Sequence, residues 1–171
     1  MDAWLDRLRS EIEEATKGLC ESDWNLAPNG RWNSAQTLEH LGRSYGTTAK
    51  MLELAIGAGG PPQVRTARFR EFWKRILVVT LAVFPGGVRS PEMVLPRGDP
   101  GPVALQRALT NLSRMDAAIT AAEERWGSEE PIAMHLVLGP MTSSQWRKFH
   151  YVHGHHHVLQ MRRRLKKLAA H

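Results

Sequence analysis

The chain has little of what staples or anchors a small protein. It holds one cysteine, Cys20, in 171 residues, which excludes a disulfide framework and a multi-cysteine zinc module. It lacks a long apolar run. The longest, residues 76–84 (ILVVTLAVF), is nine residues with Thr80 inside, whereas a spanning helix needs roughly 20. A buried helix is the expectation there. The N-terminus, Met1-Asp-Ala-Trp-Leu-Asp-Arg, alternates charge and apolar residues and has no signal-peptide core. A cytoplasmic protein without a membrane role is expected. Internal repeats and low-complexity tracts are absent, and strand-like alternation is scarce. Acidic residues stop early as well: no Asp or Glu follows position 160.

What is present fits one ordinary domain spanning 1–171, large enough to bury a core. Hydrophobic residues make up 42% and charged residues 23%, which excludes a disordered chain. The formal charge of +6 suggests an anionic partner. Its location weakens that suggestion. Arg162, Arg163, Arg164, Lys166 and Lys167 all lie in the basic helix end 161–171, and the rest of the chain carries 18 basic against 17 acidic residues. Basic residues at a helix C-terminus complement its dipole. No aromatic residues interleave with them and no nucleic-acid motif surrounds them. Phosphate contacts from this helix end are therefore the weakest functional alternative.

Helical periodicity dominates. Trp4, Leu5, Leu8, Ile12, Ala15 and Leu19 give a first amphipathic helix. Residues 21–33 are rich in turn formers, with Asn29-Gly30 the sharpest. Asn33 and Gln36 form a capping-box pattern that opens a second helix, which runs to the Gly-Pro cluster at 57–62. A third helix is expected over 66–83, ended by Pro85-Gly86-Gly87, although 76–83 could be a strand. Residues 85–102 form an irregular, Pro-rich crossover. Pro102 begins a fourth helix that ends at Gly127, and a loop follows to Met141. Thr142 and Gln145 make a second capping box, opening a last helix to about Leu168. The pattern predicts an all-α helical bundle of four long helices and a shorter one.

Histidine is where the sequence is unusual. Five of the eight histidines fall between 150 and 157. His153 and His157 lie one turn apart on one face of the last helix, the spacing by which two imidazoles converge on one metal ion. His150 and Gln160 flank that stripe, and His155 points away from it. A third ligand must come from elsewhere, and His40 is the only histidine in the first 134 residues. Three imidazoles leave a coordination position open, as catalytic sites do. Zinc, nickel, copper or iron would suit three such ligands. His150, Gln160 and His135 are candidates for supporting or pocket roles. The plainer alternatives are a solvated face over 155–157, His135 as a loop residue and His40 as an ordinary polar residue. Glu39 adjoins His40 but points about 100° away on the helix and is given no role. Cys20 is expected to be an incidental thiol.

Two stretches carry a family resemblance. Trp32-Asn-Ser-Ala-Gln-Thr-Leu-Glu-His40-Leu41 and His153-Gly-His-His156-His157-Val-Leu-Gln160 resemble the second-helix and final-helix motifs of the DinB/YfiT-like superfamily of metal-dependent enzymes. The stretch from Gly139 to Tyr151 is similar to a subfamily of unknown function. The resemblance implies a four-helix bundle in up-down-down-up order. It implies a divalent metal (zinc or nickel first, with iron, manganese or copper as alternatives) on His40, His153 and His157. It further implies a homodimer and, in some members, a low-molecular-weight thiol cosubstrate. The expected function is a metal-dependent enzyme, an S-transferase or a hydrolase, acting on a small electrophile. The alternative is a metal-binding, stress-associated bundle without catalysis. The 85–102 crossover and the basic helix end have no counterpart in the resemblance.

Overall fold

The structure is a computed structural model and describes residues 1–27, 30–59, 64–82 and 90–168. The Pro85-Gly86-Gly87 stop, Asn29 of the Asn29-Gly30 turn and His171 lie outside these residues.

The chain is mostly helical, as its periodicity predicts. Helix α1 (Ala3–Thr16) buries Leu5, Leu8, Ile12 and Ala15. Its N-cap is Asp2, whose carboxylate accepts from the Trp4 amide at 2.9 Å while its own amide donates to Asp116 at 2.8 Å. Within the turn-rich stretch, Glu21–Asn25 form a short helix α2. Cys20 starts it, with its amide donating to Asp23 at 2.9 Å, and the thiol is exposed. Trp24 is buried against Gly101, where a Cβ would overlap the indole ring. Helix α3 (Ser34–Gly57) opens on the expected capping box. The Gln36 amide donates to Asn33 Oδ1 at 2.7 Å, and the Asn33 amide to Gln36 Oε1 at 3.0 Å.

The third expected helix is only partly as anticipated. Helix α4 spans Phe69–Arg75 and continues as a π-helical turn, Ile76–Thr80. Val78 and Val79 are buried, but Leu77 and Leu81 are exposed, so the described part of the longest apolar run is not a buried helix. Its β-branched residues lower helix propensity. After a 3₁₀ turn at Glu92–Val94, helix α5 (Gly101–Trp126) runs with Pro102 in its first turn.

The loop expected before Met141 holds an antiparallel hairpin instead, β1 (Pro131–His135) and β2 (Gly139–Thr142). An all-α class therefore needs this small two-stranded sheet added. Its strands are short and each carries a proline, so no alternating pattern announces them. The second capping box then opens helix α6 (Ser143–Leu168), with the Thr142 amide donating to Gln145 Oε1 at 3.1 Å.

Two pairings place the site. Helices α3 and α5 approach so closely that a Cβ on Gly42 would lie 3.1 Å from the backbone of Ala108, and Asn111 donates to the Gly42 carbonyl at 2.9 Å. Helix α6 lies along α1. Arg147 ties α6 to α5 through Asp116 at 3.1 Å and Glu123 at 2.6 Å. At Gly154, α6 meets both α1 and α3: a Cβ there would sit 2.6 Å from Leu8 Cδ2 and 2.7 Å from Tyr45 Oη, both on fully buried side chains.

Helix propensity alone favours alanine over glycine by about 1 kcal/mol. Overpacking this contact costs about 1–3 kcal/mol and decides the sign. Gly154→Ala is expected to lower the urea midpoint; an unchanged or raised midpoint would mean that α1 and α3 yield freely at this point.

Candidate metal centre

The site begins at two consecutive residues of α3. Glu39 is fully buried. Its carboxylate accepts the backbone amides of Arg97 at 2.7 Å, Gly98 at 2.9 Å and Asp99 at 3.0 Å. Burial pushes this carboxyl up, but the three amides and nearby Arg43 outweigh it and hold it below its ordinary value. Next to it, His40 Nδ1 lies 2.9 Å from the Val94 carbonyl. A carbonyl only accepts, so Nδ1 carries the proton and the neutral ring keeps its lone pair on Nε2. Glu39 and His40 thus fasten the same crossover, and the crossover in turn fixes the tautomer of His40.

That lone pair points at α6. His40 Nε2 and His153 Nε2 are 3.2 Å apart. With His157 included, one ring nitrogen from each residue lies within 4.8 Å of the others. The ring centroids are 5.2, 5.1 and 4.8 Å apart. Two imidazole nitrogens on one tetrahedral zinc ion stand about 3.3 Å apart for the usual zinc–nitrogen lengths. The His40–His153 spacing fits that value. His157 Nδ1 is buried and makes no hydrogen bond among the described residues, so the cluster holds a ring nitrogen without a protein partner.

The surroundings keep the rings neutral. Burial lowers His40, partly offset by the Val94 carbonyl. Burial, then the neighbouring His157 and His40, pushes His153 well below its ordinary value. Burial, with His40 and His156 nearby, pushes His157 down to about 3. Neutral imidazole is the metal-binding form. Trp32 packs its ring on His40, 4.9 Å between centroids, and Phe149 stacks on His153 at 5.8 Å. Arg164 donates to the Trp32 carbonyl at 2.6 Å and so ties α6 to the start of α3. Three histidines so placed could hold a divalent ion with one coordination position left over.

The other candidates fall around this cluster. His150 is buried, shares a hydrogen bond with Thr48 at 3.1 Å and stacks on Trp146. Gln160 donates to His156 Nε2 at 2.8 Å. His135 ends β1 and its Nδ1 accepts the amides of Val137 and Leu138 at 3.1 and 3.2 Å, which makes it the organiser of the hairpin turn. His155 faces away, as expected, and donates to Glu11 at 2.6 Å. Of the basic helix end, Arg162 reaches the Glu11 carbonyl at 3.4 Å and Arg164 the Trp32 carbonyl, so these cations brace helices. Glu39, set aside on its helical angle, proves central to the site because the crossover passes over it. Only its partner loop could have revealed that, and residues 90–100 form no pattern that pairs them with α3. Surface hollows lined by Trp4, Val79 and Lys148 and by Pro102, Arg107 and Asn111 contain none of the histidines.

Comparison with known proteins corrects the family resemblance. A family model described as a protein of unknown function, DUF1569, matches residues 5–164; the DinB/YfiT-like superfamily is not what the chain matches. The motifs behind that resemblance are a capped helix start and histidines one turn apart. Both are short patterns that follow from local helix geometry, so they do not distinguish a family. The homodimer and the thiol cosubstrate were implied by the resemblance alone and have no other support. No curated protein and no solved structure matches the chain. The matched span covers nearly all of the chain, and the protein therefore belongs to the DUF1569 family, whose function is unknown.

Proposed function

We propose that this protein is a metal-dependent enzyme, a hydrolase or a transferase, that acts on a small electrophilic substrate at a divalent ion held by His40, His153 and His157. One observation carries the reading: three mutually close neutral imidazoles, one of them locked by the Val94 carbonyl into the tautomer that offers Nε2. Carbonyl-oriented histidine is the usual support of a metal ligand. Zinc or nickel is the ion we favour; iron and copper also suit imidazole nitrogens, and manganese suits them least. A bound ion would polarise a substrate oxygen and bring a water's pKa toward neutrality. The chain's own residues supply ligation, orientation through Glu39 and the crossover, and an aromatic cover from Trp32 and Phe149. We read α1, α3, α5 and α6 as a four-helix bundle within one domain, 1–171, supported by the α1–α6 and α3–α5 pairings around one hydrophobic cluster.

Tag-free protein dialysed against zinc or nickel is expected to bind one ion per chain, measured by plasma emission spectroscopy. His40→Ala, His153→Ala and His157→Ala should each lose it, whereas His135→Ala should retain it. Full metal in His40→Ala would refute the three-histidine site. With metal bound, metal-dependent turnover of activated esters or of small electrophiles supports the enzyme. Stoichiometric metal with no turnover across such a panel would favour a non-catalytic metal-binding protein.

Glu39→Gln puts an amide NH₂ among three N–H donors and loosens the crossover behind His40. It is expected to weaken metal affinity about 10- to 100-fold, read by competition with a chelating dye. Affinity equal to wild type would show that the crossover does not position His40.

Acid should destabilise the metal-free protein. Burial brings His135 to about 4 and His150 and His157 to about 3, and it also lowers His40 and His153. The unfolded chain takes up these protons near pH 6.5. Between that value and about 3 the unfolded state binds more protons, so stability is complete above about pH 7 and falls as pH drops, by up to about 1.4 kcal/mol per pH unit for each histidine. The urea midpoint of the metal-free protein should decline steadily from pH 7 to pH 5. A flat midpoint over that range would contradict neutral buried histidines.

A further inference from the structure

Helix α4 and its π-helical continuation, Phe69–Thr80, dock with the apolar face outward. At about 100° per residue, Phe69, Phe72 and Trp73 share one side of the helix. Arg70 and Lys74 border that side on one edge, and Arg68 and Arg75 on the other. Glu71 lies opposite. The structure matches this arrangement. Glu71 turns inward, near enough to β2 that a Cβ on Gly139 would lie 3.0 Å from its Oε2, and Arg75 donates to the Pro140 carbonyl. Val78 and Val79 continue the inward face and are buried. The outward face stays in solvent: Phe69 is 75% exposed, Trp73 50%, Phe72 43%, Leu77 43% and Leu81 63%. Arg68, Arg70 and Lys74 are exposed beside it. Residues 64–82 hold five basic residues and one acid, and Arg65 engages that acid, Glu71, at 2.8 Å. Among the described residues, Arg70 and Lys74 pair with no acid.

We propose that this face binds the surface of an anionic lipid bilayer. Phe69, Phe72, Trp73 and Leu77 would enter the headgroup boundary, and Arg68, Arg70 and Lys74 would contact lipid phosphates. An exposed aromatic and aliphatic stripe bordered by cations on both edges is the arrangement by which an interfacial helix lies in a membrane plane. Charge argues against a second copy of the chain, because pairing this face with itself brings its bordering cations together. Free phosphate could satisfy the cations but leaves the apolar side chains in water. No described helix is long and apolar enough to cross a membrane, so the contact is peripheral. It differs from the absence of membrane contact that the sequence suggested, because that reading tested only for spanning segments.

The full-length protein is mixed with vesicles of equimolar phosphatidylglycerol and phosphatidylcholine, or of phosphatidylcholine alone, and sedimented. Binding is expected to the anionic vesicles only and should weaken as salt rises. Phe69→Ser with Trp73→Ser should abolish it while circular dichroism and metal content stay at wild-type values, since both side chains are exposed. Arg68→Gln, Arg70→Gln and Lys74→Gln together should weaken it roughly 100-fold. Three results would overturn the proposal. One is no sedimentation with anionic vesicles, and another is undiminished binding by the Ser variant, which would assign the interaction to the chain's general positive charge. The third is a wild-type dimer that the Ser variant turns into monomer without changing vesicle binding, which would assign the face to a second copy.

Discussion

A buried carboxylate in the grip of three backbone amides organises this structure. Glu39 accepts from Arg97, Gly98 and Asp99, and each such bond to an ionised acceptor is worth more than a neutral one, about 1.5–3 kcal/mol. The three amides and nearby Arg43 offset the cost of burying the charge. The consequence reaches the next residue. With the crossover held against α3, the Val94 carbonyl stands 2.9 Å from His40 and decides which of its nitrogens carries the proton. Helix α3 alone would leave that ring free to choose either tautomer.

The same packing treats acids and bases differently. Where the chain buries an acid, it supplies donors: amides for Glu39, and Arg147 for Asp116. Where it buries histidines, it supplies aromatic rings, helix surface and one another, which penalise the protonated form. The result is a core in which the Glu39 carboxylate is held charged and the buried imidazoles are held neutral. That division gives the His40, His153 and His157 cluster its capacity for a cation, because the rings carry no charge that would repel an incoming ion. The basic helix end takes part too, since Arg164 reaches back to Trp32 over the cluster.

What could be read from the residues follows the distance over which each cause acts. The capping boxes at Asn33–Gln36 and Thr142–Gln145, the Leu5, Leu8, Ile12 and Ala15 part of the α1 stripe and the His153–His157 spacing depend on neighbours within a turn or two, and they stand as expected, whereas Trp4 is exposed and Leu19 lies beyond the helix. That His40 meets the pair needed a fold in which α3 and α6 face each other, yet its isolation among the first 134 residues sufficed to single it out. The hairpin was hidden because two short strands with prolines have no periodicity of their own. The role of Glu39 was hidden because its partners lie 58 to 60 positions away in backbone amides, which any residue but proline carries. His135 looked like a site residue for its chemistry, but the turn it caps accounts for its ring. The family resemblance failed for a related reason: short patterns set by local helix geometry cannot identify a lineage.

The claim that one ion sits among three histidines is tested most directly by X-ray absorption at the metal K-edge on the loaded, tag-free protein. The account predicts three imidazole nitrogens at about 2.0–2.1 Å for zinc, with the multiple-scattering signature of the rings and at least one lighter oxygen or nitrogen ligand besides. A spectrum showing a single imidazole, or an oxygen-only shell, would contradict it.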